Sequence, residues 1–318
     1  MDNIIRETEM FAKVLEGNIH FYRELWTEIY PVQYYLGHNT VLSKLPNEDL
    51  SNINPTYKDV DIKYYINSKG YRYYPDKSVK KNKKAFCFGC SFTLGHGLPD
   101  NETWPYILGE KLGEEWSIEN YGKSGASFEE ITRIFYQVIK NTPADQMPDA
   151  VFFLFPELTR RSYIGNIEDT PVHAGIVFEQ NPEATHQAEL KALRENTVDG
   201  ITTLFGRQCK YEDAVVRVKM YAYTSAINSF FNNVSCFNII RETCTRYNIP
   251  WSWYSWSYTY WNLSKEVIAE FMDVNNTVVD DNGLKPVEYK EGRSRDNTHC
   301  NGYVCEQFAD ILYKGLKK

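Results

Sequence analysis

No stretch of this 318-residue chain approaches the roughly 20 consecutive apolar residues that a membrane-spanning helix needs, which excludes that class of protein. Cysteine is sparse. The seven residues, odd in number and unevenly spaced, exclude the disulfide framework of a small secreted domain. The segment from Met1 to Trp26 mixes charge through every turn and has no apolar signal core, so the reading is a reduced, cytoplasmic protein. Basic charge is also short. Lys and Arg number 35 against 42 Asp and Glu, a net −7, the opposite of the basic surface that binds a phosphate backbone. No internal repeat is visible, which removes solenoids and propellers. What the chain has in excess is aromatic residues: 24 Tyr, 17 Phe and 7 Trp, enough for ring-faced strands or a ring-lined cleft.

Residues 4 to 28 carry apolar side chains at three- and four-residue intervals and read as an amphipathic helix broken near Gly17. Pro31 to Tyr74 is rich in Tyr, Asn, Pro and Asp, reads as loops with short strands, and leads into a basic run, Lys77 to Lys84. We place a boundary there, giving an aromatic-rich N-terminal extension over 1–80 and a main domain over 81–318. Within the main domain the pattern becomes rhythmic. Ala85 to Phe88, Trp116 to Tyr121 and Ala150 to Phe155 read as strands, and Trp104 to Leu112 and Phe128 to Ile139 as helices between them. Ala150 to Phe155 is apolar at every position, as expected when helices cover both faces of a parallel sheet. A polar segment from Glu157 to about Asp213 reads as an irregular, lid-like insertion. Helical sequence to Tyr247, a fourth strand near Trp251 to Trp256 and a last helix from Gly302 to Leu316 complete the chain.

Ligands of parallel α/β sheets bind beyond the carboxyl ends of the strands, so the residues just past each strand are the ones to inspect. The first strand runs into Gly89-Cys90-Ser91-Phe92-Thr93-Leu94-Gly95, which presents Ser91 at the top of the sheet. The second runs into Asn120 to Ser127, a glycine-bearing loop entering a helix, whose N–H groups suit a developing oxyanion. Asp296-Asn297-Thr298-His299 precedes the last helix, and three-residue spacing in a turn lets the carboxylate hold the imidazole. Other readings of these residues fail. Thr93 stands where a Gly-x-Ser-x-Gly elbow needs glycine, and no Gly-Lys-Ser/Thr follows Gly95 to make a phosphate loop. Cys87 and Cys90 have a redox spacing but straddle a strand end, where a buried structural pair is expected, and a zinc site on them needs two further ligands.

Together, the run from Phe88 to Pro105, the loop Asn120 to Ser127 and Asp296-x-x-His299 resemble blocks I, II and V of the SGNH (GDSL-like) hydrolases. Asn67 to Arg72 is similar to a lead-in of many members. The resemblance spans about residues 67–160 and 285–316. It implies a three-layer α/β/α sandwich with a parallel, flavodoxin-like sheet. It also implies Ser91 as nucleophile, His299 as general base, Asp296 as its orienter, and the N–H groups of Ser91 and Gly125 as the oxyanion hole. No cofactor and no metal are implied. Two departures stand out. Cys90 replaces the usual Asp of Gly-Asp-Ser, and Phe155-Pro156-Glu157 stands where the family has Gly-x-Asn, with Glu157 near the oxyanion Asn. An ionised carboxylate cannot donate a hydrogen bond. Glu157 is therefore expected to pair with Arg160 or Arg161, or one of those arginines to reach the oxyanion or a substrate carboxylate.

His96 is a candidate substrate contact, its bland alternative a solvated loop histidine. Trp256, with Tyr258 and Tyr260, is a candidate ring platform for a sugar or an aromatic acyl group. The leading expectation is a serine esterase acting on a small acyl ester, such as an O-acetylated carbohydrate. The alternatives are a catalytically weak or inactive binding module of the same fold, and an O-acyltransferase in which the insertion excludes water. Expected partners are the ester substrate and a protein or second copy meeting residues 1–80, with neither nucleic acid nor membrane.

Overall fold

In the computed structural model the described residues are 38–45, 48, 50–157, 160–167, 170–176, 191, 194–195, 197–199, 201–204, 207–211, 226–257, 263, 265–280, 283–288 and 293–317. The amphipathic helix read over 4–28 and the rings of Tyr258 and Tyr260 lie outside them.

A short antiparallel pair, β1 (Thr40–Leu42) and β2 (Tyr64–Ile66), precedes the main sheet. Then follow β3 (Lys83–Gly89), α1 (Ser91–Leu94), α2 (Trp104–Leu112), β4 (Trp116–Gly122), α3 (Phe128–Asn141) and β5 (Ala150–Phe155). Next come the strands β6 (Arg161–Ile167), β7 (Thr170–Ile176), β8 (Ile201–Leu204) and β9 (Arg207–Lys210). The chain closes with α4 (Ala226–Tyr247), β10 (Trp251–Ser255), α5 (Lys265–Phe271), β11 (Val279–Asp280), β12 (Gly283–Leu284) and α6 (Gly302–Leu316).

The main sheet has the order β10-β5-β3-β4 with every pairing parallel. The first strand of the domain is thus flanked by the second and third, and the fourth joins at the far edge. This is the doubly wound, flavodoxin-like order. Side-chain parity assigns the two helical layers. Phe88 and Phe153 both meet Phe135 of α3, and Phe155 meets Phe128 of α3 and Phe237 of α4. On the opposite face Tyr254 of β10 meets Phe308 of α6, and Ile118 of β4 packs on Gly109 of α2. All six residues of β5 are fully buried, which is why that strand reads as unbroken apolar sequence. Much of the aromatic excess is therefore core. Each fully buried Phe contributes about 1.5–3 kcal/mol of transfer free energy.

The segment expected to be irregular carries two antiparallel hairpins, β6–β7 and β8–β9. Strand alternation there is interrupted by polar residues and glycine, as in Arg161–Ile167 and Thr170–Ile176. Glu48 and residues 50 to 74 are bonded to the layer above the sheet. Arg72, fully buried, donates to the Leu94, Gly95 and Leu98 carbonyls and to Asp100. Glu48 receives Arg295 in a two-point pair at 2.8 and 2.9 Å.

Candidate active site

The turn that carries Ser91 begins at Gly89. A Cβ there would lie 1.9 Å from Thr93 Oγ1 and 2.7 Å from the Leu154 carbonyl oxygen, so only glycine lets α1 fold directly back on the strand end. The single turn of α1 stops at Gly95, whose φ of +79° is left-handed. Arg72 gathers the carbonyls that this turn leaves over. Ser91, the first helical residue, is 5% exposed. Neither its hydroxyl nor its N–H has a hydrogen-bond partner among the described residues.

The Asn120–Ser127 loop is pinned to this turn. Asn120 donates through Nδ2 to the Thr93 carbonyl at 2.8 Å and accepts the Gly122 N–H through Oδ1, while the Lys123 N–H donates to the Gly89 carbonyl at 3.0 Å. Lys123 forms a buried ion pair with Glu130 of α3. Gly125 takes φ +75°, and a Cβ built on it would meet nothing within 4 Å. Its N–H, like that of Ser91, has no partner among the described residues, giving two donors on neighbouring backbone turns.

Asp296 and His299 come together as their spacing predicts. His299 Nδ1 lies 2.6 Å from Asp296 Oδ2. A carboxylate only accepts, so Nδ1 is the donor of this bond and Nε2 is the ring nitrogen turned away from Asp296. Asp296 Oδ1 accepts from the Ser294 hydroxyl at 2.6 Å and from the backbone N–H groups of Thr298 and His299 at 3.0 and 3.1 Å. Burial pushes the Asp296 carboxyl up. The His299 and His96 rings and the Ser294 hydroxyl outweigh burial and hold it well below the usual carboxylate range. The loop is tied to the Ser91 turn by the Arg295 N–H, which donates to the Gly97 carbonyl at 2.9 Å, and by Tyr64, whose hydroxyl accepts the Gly97 N–H and donates to Glu48. The Ser91–His299 hydrogen bond is the one link of a nucleophile–base–acid chain that is not formed. Such bonds commonly tighten only once substrate is in place.

His96 is not a solvated loop residue. It is 2% exposed, its ring centroid is 4.8 Å from that of His299, and its Nδ1 is 3.9 Å from Asp296 Oδ2. Burial holds its ring below the usual histidine range. The Gly97 backbone that follows draws it inward, an influence invisible in residue type alone. His96, Asp296 and His299 are also the described residues able to hold a metal ion, with ligand atoms within 4.8 Å of one another.

At the exit of β5, Glu157 is paired with Arg160, whose Nη2 lies 3.1 Å from Oε1 and 2.8 Å from Oε2. Burial pushes the Glu157 carboxyl up, and the guanidinium pulls it back. Of the two pairings expected for Glu157, that with Arg160 forms; Arg161 is the first residue of β6. Arg160 also lies over the Trp256 ring at 5.7 Å. Trp256 stacks on Phe92 at 4.4 Å and 10°, and Phe92 meets the His299 ring edge-on at 5.5 Å. Phe92 was not singled out in the sequence, although it follows Ser91 directly. Ser294, Asn120 and Arg72 were likewise unassigned; Asn120 and Arg72 bond backbone carbonyls, and Ser294 bonds the Asp296 carboxylate through a hydroxyl common in any turn, so none leaves a spacing signal.

No family model matches the chain, and no curated protein does. Among solved structures it is similar to AlinE4, an SGNH-hydrolase family esterase, at 15% identity and a TM-score of 0.23, over 55% of this chain and 77% of that one. A putative lipolytic protein of the G-D-S-L family from Desulfitobacterium hafniense DCB-2 aligns at 11% and 0.29, over 74% and 99%. A carbohydrate acetylesterase family member from Sinorhizobium meliloti aligns at 10% and 0.28, over 73% and 96%. At these values the likenesses carry no argument about chemistry, which rests on the geometry above.

Proposed function

We propose that this chain is a serine hydrolase of the SGNH type that cleaves an ester of a small acyl group, with an O-acetylated carbohydrate as the favoured substrate class. The observation that carries the reading is the Asp296–His299 couple, oriented at 2.6 Å beyond the carboxyl end of the sheet and bonded through Gly97 to the turn that bears Ser91. In this reading Ser91 Oγ attacks the ester carbonyl carbon while His299 Nε2 takes its proton. The N–H groups of Ser91 and Gly125 hold the tetrahedral oxyanion. His299 then returns the proton to the departing alcohol oxygen, and a water activated by the same nitrogen releases the acid. Asp296 keeps the tautomer that leaves Nε2 basic.

Glu157 bears on the rate. A neutral donor at that position would be worth about 10²–10³ in turnover, and a carboxylate there supplies none. The Arg160 guanidinium neutralises that carboxylate, which removes the repulsion without restoring the donor. The sugar part of the reading rests on Trp256, half-buried and stacked on the buried Phe92 ring beside His299, which leaves an aromatic edge next to the candidate base. Hydrolysis of p-nitrophenyl acetate by wild type and Ser91→Ala tests the reading. Turnover that disappears in the variant supports it, and equal rates in the two proteins end it.

A second reading, a binding module that has lost catalysis, is favoured by Glu157 and by the unmade Ser91–His299 bond. It predicts no turnover in folded wild type, together with retained binding of an acetylated oligosaccharide.

A further inference from the structure

His96 poses a question that the hydrolytic reading does not answer. Its ring is 2% exposed, and neither Nδ1 nor Nε2 has a hydrogen-bond partner among the described residues. Leaving a buried polar group unpaired in this way is destabilising. The ring is turned toward a carboxylate oxygen that is itself only half used. Asp296 Oδ1 is saturated by Ser294 and two backbone N–H groups, whereas Oδ2 accepts from His299 alone and faces His96 at 3.9 Å.

We propose that His96, Asp296 Oδ2 and His299 form a three-ligand site for a first-row divalent cation such as Zn²⁺, and that its occupation switches the relay off. The donor set is two imidazoles and one carboxylate, which suits such ions and leaves a fourth position for water. Metal–ligand bonds of about 2.0–2.1 Å in a tetrahedron put neighbouring ligand atoms about 3.3 Å apart. The two separations from Oδ2, 2.6 Å to His299 Nδ1 and 3.9 Å to His96 Nδ1, bracket that value, and all three ligand atoms lie within 4.8 Å, so the ion is accommodated by drawing the His96 ring in toward the other two ligands.

The consequence for catalysis follows from the tautomer, and this clause alone rests on the hydrolase reading. A cation bound at His299 Nδ1 takes the place of the proton donated to Asp296. The neutral imidazole keeps one proton, which must then sit on Nε2, carried there through solvent. The lone pair that would accept the Ser91 proton is gone, and the only bonds exchanged are Nδ1–H for Nε2–H.

The test uses the full chain, stripped of metal and titrated with Co²⁺. Wild type is expected to bind about one ion, with ligand-field bands and no thiolate charge-transfer band. His96→Gln is expected to lose about a hundredfold or more in affinity, since even partners one shell out from a metal are worth 10–100-fold. Zn²⁺ should suppress p-nitrophenyl acetate hydrolysis at far lower concentration in wild type than in His96→Gln, each measured against its own metal-free rate. Should the variant fold poorly, long-range ¹H–¹⁵N spectra of wild type read the site directly, with zinc shifting the ring nitrogens of two of the six histidines. Equal cobalt affinity in the two proteins, a thiolate band from the buried cysteines, or unshifted histidine nitrogens would overturn the proposal. A folded protein without metal-free hydrolysis refutes the hydrolase reading instead, and the cobalt titration then still decides the site.

Discussion

On one side of Ser91, the loop around Asp296 surrounds its carboxylate with four hydrogen bonds and ties itself to the Ser91 turn through Arg295 and Gly97. On the other side, the exit of β5 brings in a carboxylate, Glu157, held by Arg160. The first region, which handles protons in the proposed mechanism, is pre-organised by two backbone N–H groups, the Ser294 hydroxyl and the His299 ring. The second, at the exit of β5, is governed by one pair of side chains, Glu157 and Arg160. The difference teaches that a site can keep its proton chemistry intact while its electrostatics are open to revision by a single substitution.

The largest effect is expected where the two regions meet. Ser91→Ala should lower kcat by about 10⁶, the scale on which loss of a nucleophile abolishes acyl transfer, in a protein whose melting curve is unchanged. Asp296→Asn attacks the proton side alone. By presenting an amide to His299 Nδ1 it favours the wrong tautomer, and kcat should fall by about 10⁴ at constant KM, read by steady-state kinetics.

Arg160→Leu attacks the other side and should act first on stability. Both partners are largely buried, at 13% and 18% side-chain exposure, so leaving Glu157 uncompensated should cost about 3–5 kcal/mol in a denaturant titration at neutral pH. Its pH dependence has a definite sign. Burial already raises the Glu157 carboxyl, and loss of the guanidinium raises it further. The folded state then holds a proton that the unfolded state releases, so the deficit is small below about pH 4, the unfolded glutamate range, and grows as pH rises. A deficit that shrinks with rising pH contradicts the pairing. The smallest effect is a gain: Glu157→Asn supplies a neutral donor and should raise kcat by about tenfold, below the full value of an oxyanion donor because Arg160 loses its partner.

The sequence made the sheet and the proton side readable for the same reason. Ala150 to Phe155 is buried on both faces and so carries no polar residue, and Asp296 and His299 meet through a local turn, so their spacing survives as a motif. What stayed hidden depends on tertiary approach. The burial of His96 follows from Gly97 lying against Ser294 and Arg295, some two hundred residues away along the chain. Arg72 closes the Asn67–Arg72 segment, yet its role of collecting the carbonyls of the Ser91 turn appears only once residues 50 to 74 are laid across it. The hairpins β6–β7 and β8–β9 were missed because polar strands lack the apolar alternation that marks a half-buried one.

Intact-protein mass spectrometry after fluorophosphonate treatment tests the central claim most directly, because the reagent reacts only with a serine that a neighbouring base has activated. The account predicts a single phosphonyl adduct on wild type, mapped to Ser91 and absent from Ser91→Ala and His299→Ala. Folded wild type that takes up no adduct, or an adduct that persists in His299→Ala, would contradict it.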